Sequence, residues 1–300
     1  MLLGIDIGGT KTSGSLVTDE GDLVGSPAKL PTPAAQGSKA ILETAGNVAR
    51  TLLDGLAGSV TSVGVGAAGV ISPNGVVVSA TDLLSGWAGT DIAGSLSASL
   101  GIPVRALNDV HAAAVGEAAV GAGRGYRRVL VVAVGTGIGG AFVQDGTLDV
   151  GPGNIAGSVG HVFVPRGDGR LCSCGVAGHA EAYGSGPSIE SIYREWGGEP
   201  LDLRQIEARM LEGEDLADRA IAQGAEALGQ ALGAAANMVD PDCIVIGGGV
   251  ANMGEPYLDA VRSVYRTCVL PSARNLPVVP AKLGVSAAIV GAALWSSRAG

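Results

Sequence analysis

The chain has 300 residues, of which 47% are hydrophobic, 3% aromatic and 16% charged, and its formal net charge is −9. This length allows two α/β domains or one large one, with a core of Ala, Val, Leu and Ile and with 50 glycines that permit close backbone packing. The negative net charge argues against nucleic acid as a partner, and no apolar run is long enough for a membrane span. We expect no signal peptide, because no basic segment precedes the acidic residue Asp6.

Alternating strands and helices are predicted along the first part of the chain. We expect strands at 2–7, 12–17 and 23–30, a helix at 38–56, strands at 63–67 and 76–79, a helix at 91–100, a strand at 104–107 and a helix from 108 to about 120.

The glycine-rich segment 121–125 is followed by a second part that begins in the same way. We expect a strand at 128–134, a glycine turn at 135–140, a return strand at 141–144, helices at 203–211 and 216–239, a strand at 243–246 and helices at 255–265 and 286–297. The recurring order of strand, glycine turn and strand is a weak internal repeat. It predicts two domains, 1–121 and 122–285, with the terminal segment 286–300 packed back on the first.

Three glycine-rich loops follow apolar strands. They are Asp6 with Gly8, Gly9, Thr10 and Lys11, then Gly135, Thr136 and Gly137, then Gly247, Gly248 and Gly249. Backbone N–H groups free of side chains can surround phosphate oxygens, and a carboxylate such as Asp6 can hold Mg²⁺. The glycines of any one loop can equally well serve only a tight turn, but three such loops favour phosphate binding. The first two loops lie between strands, which argues against a P-loop or a Rossmann fingerprint.

Asn108 and Asp109 follow a strand and begin a helix. Both residue types are good helix caps, so a purely structural role is one interpretation. The other is that Asp109 accepts a proton from a substrate hydroxyl, since phosphoryl transfer needs little more than a base, Mg²⁺ and positioning.

Four soft metal ligands are grouped within nineteen positions: His161, Cys172, Cys174 and His179. Two imidazoles and two thiolates are a common tetrahedral zinc set, and the closed set predicts a structural site. A C-x-C pair suits a reducing cytoplasm better than a disulfide framework. The alternative is that the thiols are merely packed and His179 is an exposed loop residue. If zinc binds one nitrogen of His161, the other can face a substrate hydroxyl.

The motifs together resemble the ROK family of sugar kinases, repressors and open reading frames. The resemblance covers essentially the whole chain and rests on the loop at 6–11, on 66–70, on 107–109, on 135–140, on Gly160-His161, on the C-x-C-G-x-x-G segment and on 247–249. It implies an α/β, two-domain actin-like (ribonuclease H-like) fold with an inter-domain cleft. It also implies ATP- and Mg²⁺-dependent phosphorylation of a hexose, usually at O6, commonly in a homodimer.

The resemblance makes Asp109 the general base and makes Asn108, His161 and Glu181 sugar contacts, with Gly69 contributing its backbone. Repressors that look similar carry a helix-turn-helix ahead of the first glycine loop. We expect none here because that loop begins at Asp6. A catalytically silent sugar sensor stays open as an alternative.

Two residues depart from the family pattern. His179 stands where the zinc segment usually ends in Cys, and imidazole can replace thiolate at zinc. Ser158 stands where glucokinase-like members usually carry Glu beside C1 and C2 of the sugar. Loss of that carboxylate opens space in which an N-acetyl group fits. This favours N-acetylmannosamine as substrate over glucose.

Overall fold

A computed structural model describes residues 1–56, 58–81, 83–166 and 168–297. The described residues form two compact units. The first holds Met1–Gly125, Val143–Ala156 and the part of the chain after Lys282, and the second holds Tyr126–Phe142 and Gly157–Ala281. Residues 143–156 are therefore grouped with the first unit, whereas the predicted ranges place them in the second domain, 122–285. Residues 298–300 of the predicted terminal segment lie outside the described residues.

The first unit is built on a five-stranded sheet of order β3-β2-β1-β4-β7. Its elements are β1 Leu2–Ile7, β2 Lys11–Val17, β3 Leu23–Pro31, α1 Ser38–Leu53, β4 Ser62–Ala67, β5 Val70–Ile71, β6 Val77–Ser79, α2 Ile92–Leu100, β7 Val104–Asn108 and α3 Asp109–Ala119. β1 and β2 are antiparallel, whereas β1, β4 and β7 are parallel. The carboxyl ends of these three parallel strands therefore lie at one edge of the sheet.

The second sheet has the order β10-β9-β8-β11-β12. The remaining elements are β8 Arg128–Val134, β9 Ile138–Gln144, β10 Thr147–Asp149, α4 Glu181–Gly184, α5 Gly186–Glu195, α6 Leu203–Leu211, α7 Asp215–Val239, β11 Cys243–Gly247, α8 Glu255–Cys268, β12 Val278–Pro280 and α9 Ala287–Ser296. β8, β11 and β12 are parallel. Most of the second unit's core lies between these strands and helices α5 to α8.

Small residues let helix α9 lie directly on the first sheet. A Cβ at Gly64 of β4 would lie 1.9 Å from the Ala292 carbonyl oxygen, and one at Gly291 would lie 1.7 Å from that of Ala112 in α3. Any side chain at either position would force β4, α3 and α9 apart. The terminal helix, although last in sequence, is thus part of the core of the first unit.

Each of the first two glycine turns joins neighbouring strands of its sheet and is closed by a backbone hydrogen bond, although the two bonds span different numbers of residues. The Gly8 N–H donates to the Lys11 carbonyl at 3.0 Å, and the Gly135 N–H donates to the Gly137 carbonyl at 2.8 Å. β1 and β2 are adjacent in the first sheet, as β8 and β9 are in the second.

Several predicted boundaries need correction. Helix α1 ends at Leu53 rather than at residue 56, and β9 begins at Ile138, three residues earlier than expected. Gly139 and Gly140 belong to β9. Gly140 passes close to another backbone, where a Cβ would lie 2.4 Å from the Gly157 carbonyl oxygen. Helices α4 and α5 were not predicted, although Ser185 caps α5 and Pro187 lies in its first turn, which is a recognisable start signal.

Among the described residues, none of the helices is both long enough and apolar enough to span a bilayer.

Candidate functional site

The predicted residues of the first unit gather at the carboxyl ends of β1, β4 and β7. Asp6 of β1 lies opposite Gly66 of β4, and Ala67 lies opposite Asn108 of β7. Gly66 has no side chain to intervene, and a Cβ there would lie 3.5 Å from the Cα of Asp109. The parallel pairing thus brings the first glycine loop and the start of α3 to the same edge of the sheet.

Asn108 has two structural tasks. Its side-chain oxygen accepts hydrogen bonds from the N–H groups of Val110 at 2.9 Å and His111 at 3.1 Å, so it is the N-cap of α3. Its amide nitrogen donates to the Gly69 carbonyl at 3.0 Å. Gly69 has a φ of +106°, and a Cβ there would lie 2.6 Å from the Ser79 carbonyl oxygen. The position therefore requires glycine.

Asp109 is the first residue of α3, and its carboxylate accepts the Val110 N–H at 2.9 Å. Burial raises the pKa of this carboxyl, while hydrogen bonds from Val110 and Asn108 oppose the rise. A carboxylate with a raised pKa binds a proton more readily, which is what a general base requires.

Asp6 carries a similarly perturbed carboxyl. Its pKa is raised to about 7, first by burial and then by the negative charge of Asp109, against the opposing effect of Lys11. Two carboxyl groups that repel each other in a buried setting are typical of a site that receives a cation.

The rest of the first glycine loop is open. Thr10 and Lys11 are exposed. Gly8 and Gly9 carry no side chain, and part of the space beside Gly9 is filled by Leu83, whose nearest atom would lie 2.9 Å from a Cβ. The backbone of the turn is therefore accessible.

In the second unit, the loop of Gly135, Thr136 and Gly137 is held by the segment around Glu181. The Glu181 carboxylate accepts the Ile138 N–H at 2.9 Å, and the Gly186 N–H donates to the Gly135 carbonyl at 2.8 Å. A Cβ at Gly137 would lie 2.6 Å from the same carboxylate, so a larger residue there would displace the Glu181 side chain.

In the third glycine loop, Gly248 is tightly packed and has a positive φ, whereas Gly249 has open space around it. Gly248 has a φ of +92°, and its Cβ would lie 2.3 Å from the Val134 carbonyl oxygen, so only glycine fits between β11 and β8. Nothing lies within 4 Å of a Cβ at Gly249. Gly249 and Asn252 border an open groove of about 600 Å³, whose other lining residues are Glu190, Asp202, Leu203, Arg204 and Glu207.

The four predicted metal ligands come together. Their ligand atoms all lie within 4.8 Å of one another. Nδ1 of His161 lies 3.6 Å from Sγ of Cys172, and Nδ1 of His179 lies 3.2 Å from Sγ of Cys174. Bonds of about 2.0–2.3 Å to tetrahedral zinc separate neighbouring ligand atoms by about 3.3–3.8 Å, so the donor set fits zinc and these two His–Cys distances lie close to the required spacing. His161 turns Nδ1 towards the cluster, which leaves Nε2 to face elsewhere.

The Cys172 thiol lies beside the Glu181 carboxylate. Burial raises the pKa of the thiol to about 11, with the Glu181 carboxylate contributing, and the thiol donates to Glu181 Oε1 at 3.3 Å. The hydroxyl of Ser173 donates to the same oxygen at 2.6 Å. Zinc held by Cys172 would instead favour the thiolate, because a coordinating thiol is deprotonated.

Further polar residues, which no sequence motif marks, support the segment that carries the cysteines. Arg170 donates to Glu195 at 2.5 and 3.0 Å and to the Ala182 carbonyl at 3.2 Å, and the Tyr183 hydroxyl donates to Asp168 at 2.7 Å. The Arg170 hydrogen bonds lower the pKa of Glu195 to about 2. Spacing within the sequence gives no signal for these pairs, since their partners lie on α5 and in loops.

Ser158 precedes the short turn Val159–His161, and its carbonyl accepts the His161 N–H at 3.0 Å. Ser158 thus lies one turn before His161, whose Nδ1 faces the cysteine–histidine cluster. Trp87 and His111 are both buried in the first unit. Trp87 donates to the Ala68 carbonyl at 3.0 Å and so supports the residue before Gly69. Burial lowers the pKa of His111.

The chain is similar to known proteins along nearly its whole length. A family model described as the ROK family matches residues 2–299. The chain belongs to the ROK family. It is 30% identical to a glucokinase of Streptomyces coelicolor, over 98% of this chain and 96% of the relative. It is also 30% identical to an N-acetylmannosamine kinase of Salmonella typhimurium, over 97% of each.

Among solved structures, a ROK family glucokinase from Streptomyces griseus, determined in complex with glucose and AMPPNP, superimposes with a TM-score of 0.85. The two sequences are 29% identical, and the match covers 99% of each chain. The predicted fold class, the two-domain actin-like ATPase fold, is confirmed for this ROK family chain.

Proposed function

We propose that this ROK family sugar kinase transfers the γ-phosphoryl group of ATP to the 6-hydroxyl of a hexose-type sugar. The observation that carries the proposal is the position of Asp109 at the start of α3, beside Asp6 and next to the Asn108–Gly69 hydrogen bond. In the proposed step the sugar hydroxyl gives its proton to the Asp109 carboxylate while its oxygen bonds to the γ-phosphorus. The bond between that phosphorus and the bridging oxygen breaks, and ADP leaves with its electron pair.

Mg²⁺ is the cation that this chemistry requires, and Asp6 would hold it, directly or through water. The fit rests on the raised pKa of Asp6, whose cause is burial together with the charge of Asp109. When bound, the ion neutralises charge on the phosphates. Lys11 adds a positive charge at the same loop.

The nucleotide would use the glycine loops that follow the apolar strands. The open groove beside Gly249 has a volume of about 600 Å³, and Glu190, Arg204 and Asn252 offer polar groups along it. These features suit the nucleoside part of ATP, with Gly135, Thr136 and Gly137 near its phosphates.

N-acetylmannosamine is the sugar that we propose. Asn108, Gly69, Ser158, His161 and Glu181 would contact it, and the small side chain of Ser158 leaves room beside C2. The related glucokinase and N-acetylmannosamine kinase are equally similar in identity, so this choice rests on Ser158. Zinc, held by His161, Cys172, Cys174 and His179, would fix the segment that carries Glu181, and the active species would be a homodimer.

A coupled ADP-release assay tests the proposal with ATP, Mg²⁺ and five sugars: N-acetylmannosamine, N-acetylglucosamine, glucose, mannose and fructose. We expect turnover that is highest with N-acetylmannosamine and a product phosphorylated at O6, as identified by NMR. Preference for glucose would support the alternative of a glucokinase and contradict the argument from Ser158. Binding of a sugar without turnover on any of the five would favour a non-catalytic sugar sensor.

A further inference from the structure

Ser13 of β2 carries a buried hydroxyl that has no hydrogen-bond partner within the described residues. The residue is 4% exposed, and its Oγ is among the buried side-chain atoms that no donor or acceptor of the described chain reaches. A buried hydroxyl that makes no hydrogen bond destabilises a fold, so it points to a partner that the chain itself does not supply.

Ser15 shows that burial in this strand does not by itself leave a hydroxyl unpaired. It lies two residues further along β2, is 1% exposed and donates its hydroxyl hydrogen to the Leu16 carbonyl at 3.2 Å. Both serines lie on the same face of the strand, because side chains of a strand alternate between its two faces. They differ in the residue across from them on β1, which is Gly4 for Ser15 and Asp6 for Ser13.

The face that carries the two serines is the one that α9 covers. A Cβ at Gly4 would lie 2.0 Å from the carbonyl oxygen of Ile289 in α9, whereas a Cβ at Gly14 would lie 2.9 Å from the side chain of Val48 in α1. Gly14 lies between the serines in sequence, so its own Cβ position marks the opposite face. Asp6 is two residues after Gly4 and therefore shares the α9 face.

Ser13, Asp6 and Gly66 form a row across the sheet on this face. Asp6 is paired with Ser13 on one side and with Gly66 on the other. Gly66 has no side chain, and a Cβ there would lie 3.5 Å from the Cα of Asp109. Asp6 thus has the start of α3 on one side and Ser13 on the other.

The spacing between Ser13 and Asp6 suits a water molecule between them. Residues directly opposite each other on antiparallel strands have Cβ atoms about 4.5–5.5 Å apart, and a hydroxyl and a carboxylate at this spacing can share one water. Mg²⁺ keeps several of its waters when one or two carboxylates hold it. Such a water has two hydrogens, one for the carboxylate and one for the hydroxyl oxygen.

We propose that Ser13 is a further residue of the Mg²⁺ site, where its hydroxyl oxygen accepts a hydrogen bond from a water molecule on the ion that Asp6 holds. This inference rests on the proposed function, in which Asp6 holds Mg²⁺ for ATP. Ser13 is a positioning residue, because it acts on the ion through that water and touches neither the phosphates nor the sugar.

The affinity for AMPPNP, measured by isothermal titration calorimetry with Mg²⁺ and without added divalent cation, tests the proposal without turnover. The ratio of the two dissociation constants is the gain in affinity that the ion provides. Four forms of the full chain are compared: wild type, Ser13→Ala, Ser15→Ala and Asp6→Asn. Ser15→Ala is the matched control, since it removes a similarly buried hydroxyl from the same face of the same strand.

In Ser13→Ala we expect the gain in affinity from Mg²⁺ to fall about threefold to tenfold, as the loss of one hydrogen bond predicts, while the affinity without the ion stays unchanged. In Ser15→Ala the gain should change less than about twofold, because its hydroxyl makes no contact with the ion's water. In Asp6→Asn the gain should fall more than about tenfold, because the charged group that holds the ion is lost.

Melting temperatures without Mg²⁺ separate this role from a purely structural one. Ser13→Ala removes an unpaired hydroxyl and should keep or raise the melting temperature, whereas Ser15→Ala removes a hydrogen bond and should lower it. A lower melting temperature in Ser13→Ala would show that the Ser13 hydroxyl is bonded within the protein, and would overturn the proposal.

An unchanged gain from Mg²⁺ in Ser13→Ala would also overturn it. If Asp6→Asn loses the gain in the same experiment, the Mg²⁺ site of the proposed function stands without Ser13. If wild type gains no affinity from Mg²⁺, or if Asp6→Asn keeps the whole gain, the cation site and the part of Ser13 in it are both wrong. If the gains follow the expected pattern but none of the five sugars is phosphorylated, the assignment of Ser13 stands and the proposed kinase function fails.

Discussion

The side-chain amide of Asn108 donates a hydrogen bond to the Gly69 carbonyl at 3.0 Å, while its oxygen caps the helix that begins at Asp109. One residue thus ties the loop after β4 to the start of α3. The Gly69 loop and the residue next to the proposed base are therefore held in place by the same side chain. Substitution of Asn108 would disturb both contacts at once.

Metal content tests the cysteine–histidine cluster. We expect elemental analysis to find about one zinc per chain and chelation to lower the melting temperature, because four ligands join distant parts of one segment. Cys174→Ser should lose the metal. Cys268→Ser, at an exposed cysteine outside the cluster, should keep it.

His179→Cys provides a second check on the same cluster. A thiolate is an equally good zinc ligand, so this variant should keep metal and melting temperature close to wild type. Full metal content in Cys174→Ser would contradict the proposed ligand set.

The pH dependence of stability should report Asp6. Its carboxyl has a pKa of about 7 in the folded chain and an ordinary value of 3.8. Between these values the folded state binds more protons than the unfolded state. The free energy of unfolding should therefore fall as the pH rises from about 4 to 7, by up to about 1.4 kcal/mol per pH unit, and then level off.

Asp6→Asn should flatten this part of the profile, measured by denaturant unfolding without Mg²⁺. Asp109→Asn should lower the pKa of Asp6, because the neighbouring negative charge is removed, and NMR titration of the carboxyl measures it. A profile that is the same in Asp6→Asn and wild type would show that Asp6 is not perturbed.

Gly248 and Gly249 form a matched pair. Gly248→Ala places a Cβ at a φ of +92°, 2.3 Å from the Val134 carbonyl oxygen, and should cost at least about 1–3 kcal/mol of unfolding free energy. Gly249 has a φ of −62° and open space around it, so Gly249→Ala should change stability by less than about 0.5 kcal/mol. Equal losses in denaturant unfolding would contradict the packing described between β11 and β8.

Ser158 is tested by restoring the carboxylate. Ser158→Glu should shift the ratio of kcat/KM from N-acetylmannosamine towards glucose, because the longer side chain fills the space beside C2 and offers an acceptor. Ser158→Ala, which keeps the space, should retain the original order of sugars. An unchanged order of sugars in Ser158→Glu would show that this residue does not determine which sugar is preferred.

Much of the metal cluster was predictable because rare residue types mark it: two of three His and two of four Cys fall within nineteen positions. The glycine loops were predictable from the strands before them. The contacts of Glu181 were not, because its partner Ile138 lies 43 positions away and the hydrogen bond joins a side chain to a backbone group. The sequence does not show which backbone N–H groups will donate to a side chain.

The fold was predicted best where hydrophobic strands alternate with capped helices, as in β1, β4, β7 and α2. Helices α4 and α5 were missed because α4 has only four residues and both follow the irregular cysteine segment. The grouping of residues 143–156 with the first unit depends on tertiary contacts, which no local pattern carries.

The catalytic role of Asp109 is tested most directly by Asp109→Asn, with turnover and sugar binding measured on the same preparation. Asn fits the start of α3, so we expect normal folding, sugar affinity close to wild type and a kcat that falls about 10²–10⁴-fold. Asp91→Asn is the matched control, since Asp91 caps α2 by accepting the Gly94 N–H at 2.8 Å and should keep full turnover. A kcat near the wild-type value in Asp109→Asn would contradict the assignment of Asp109 as the general base.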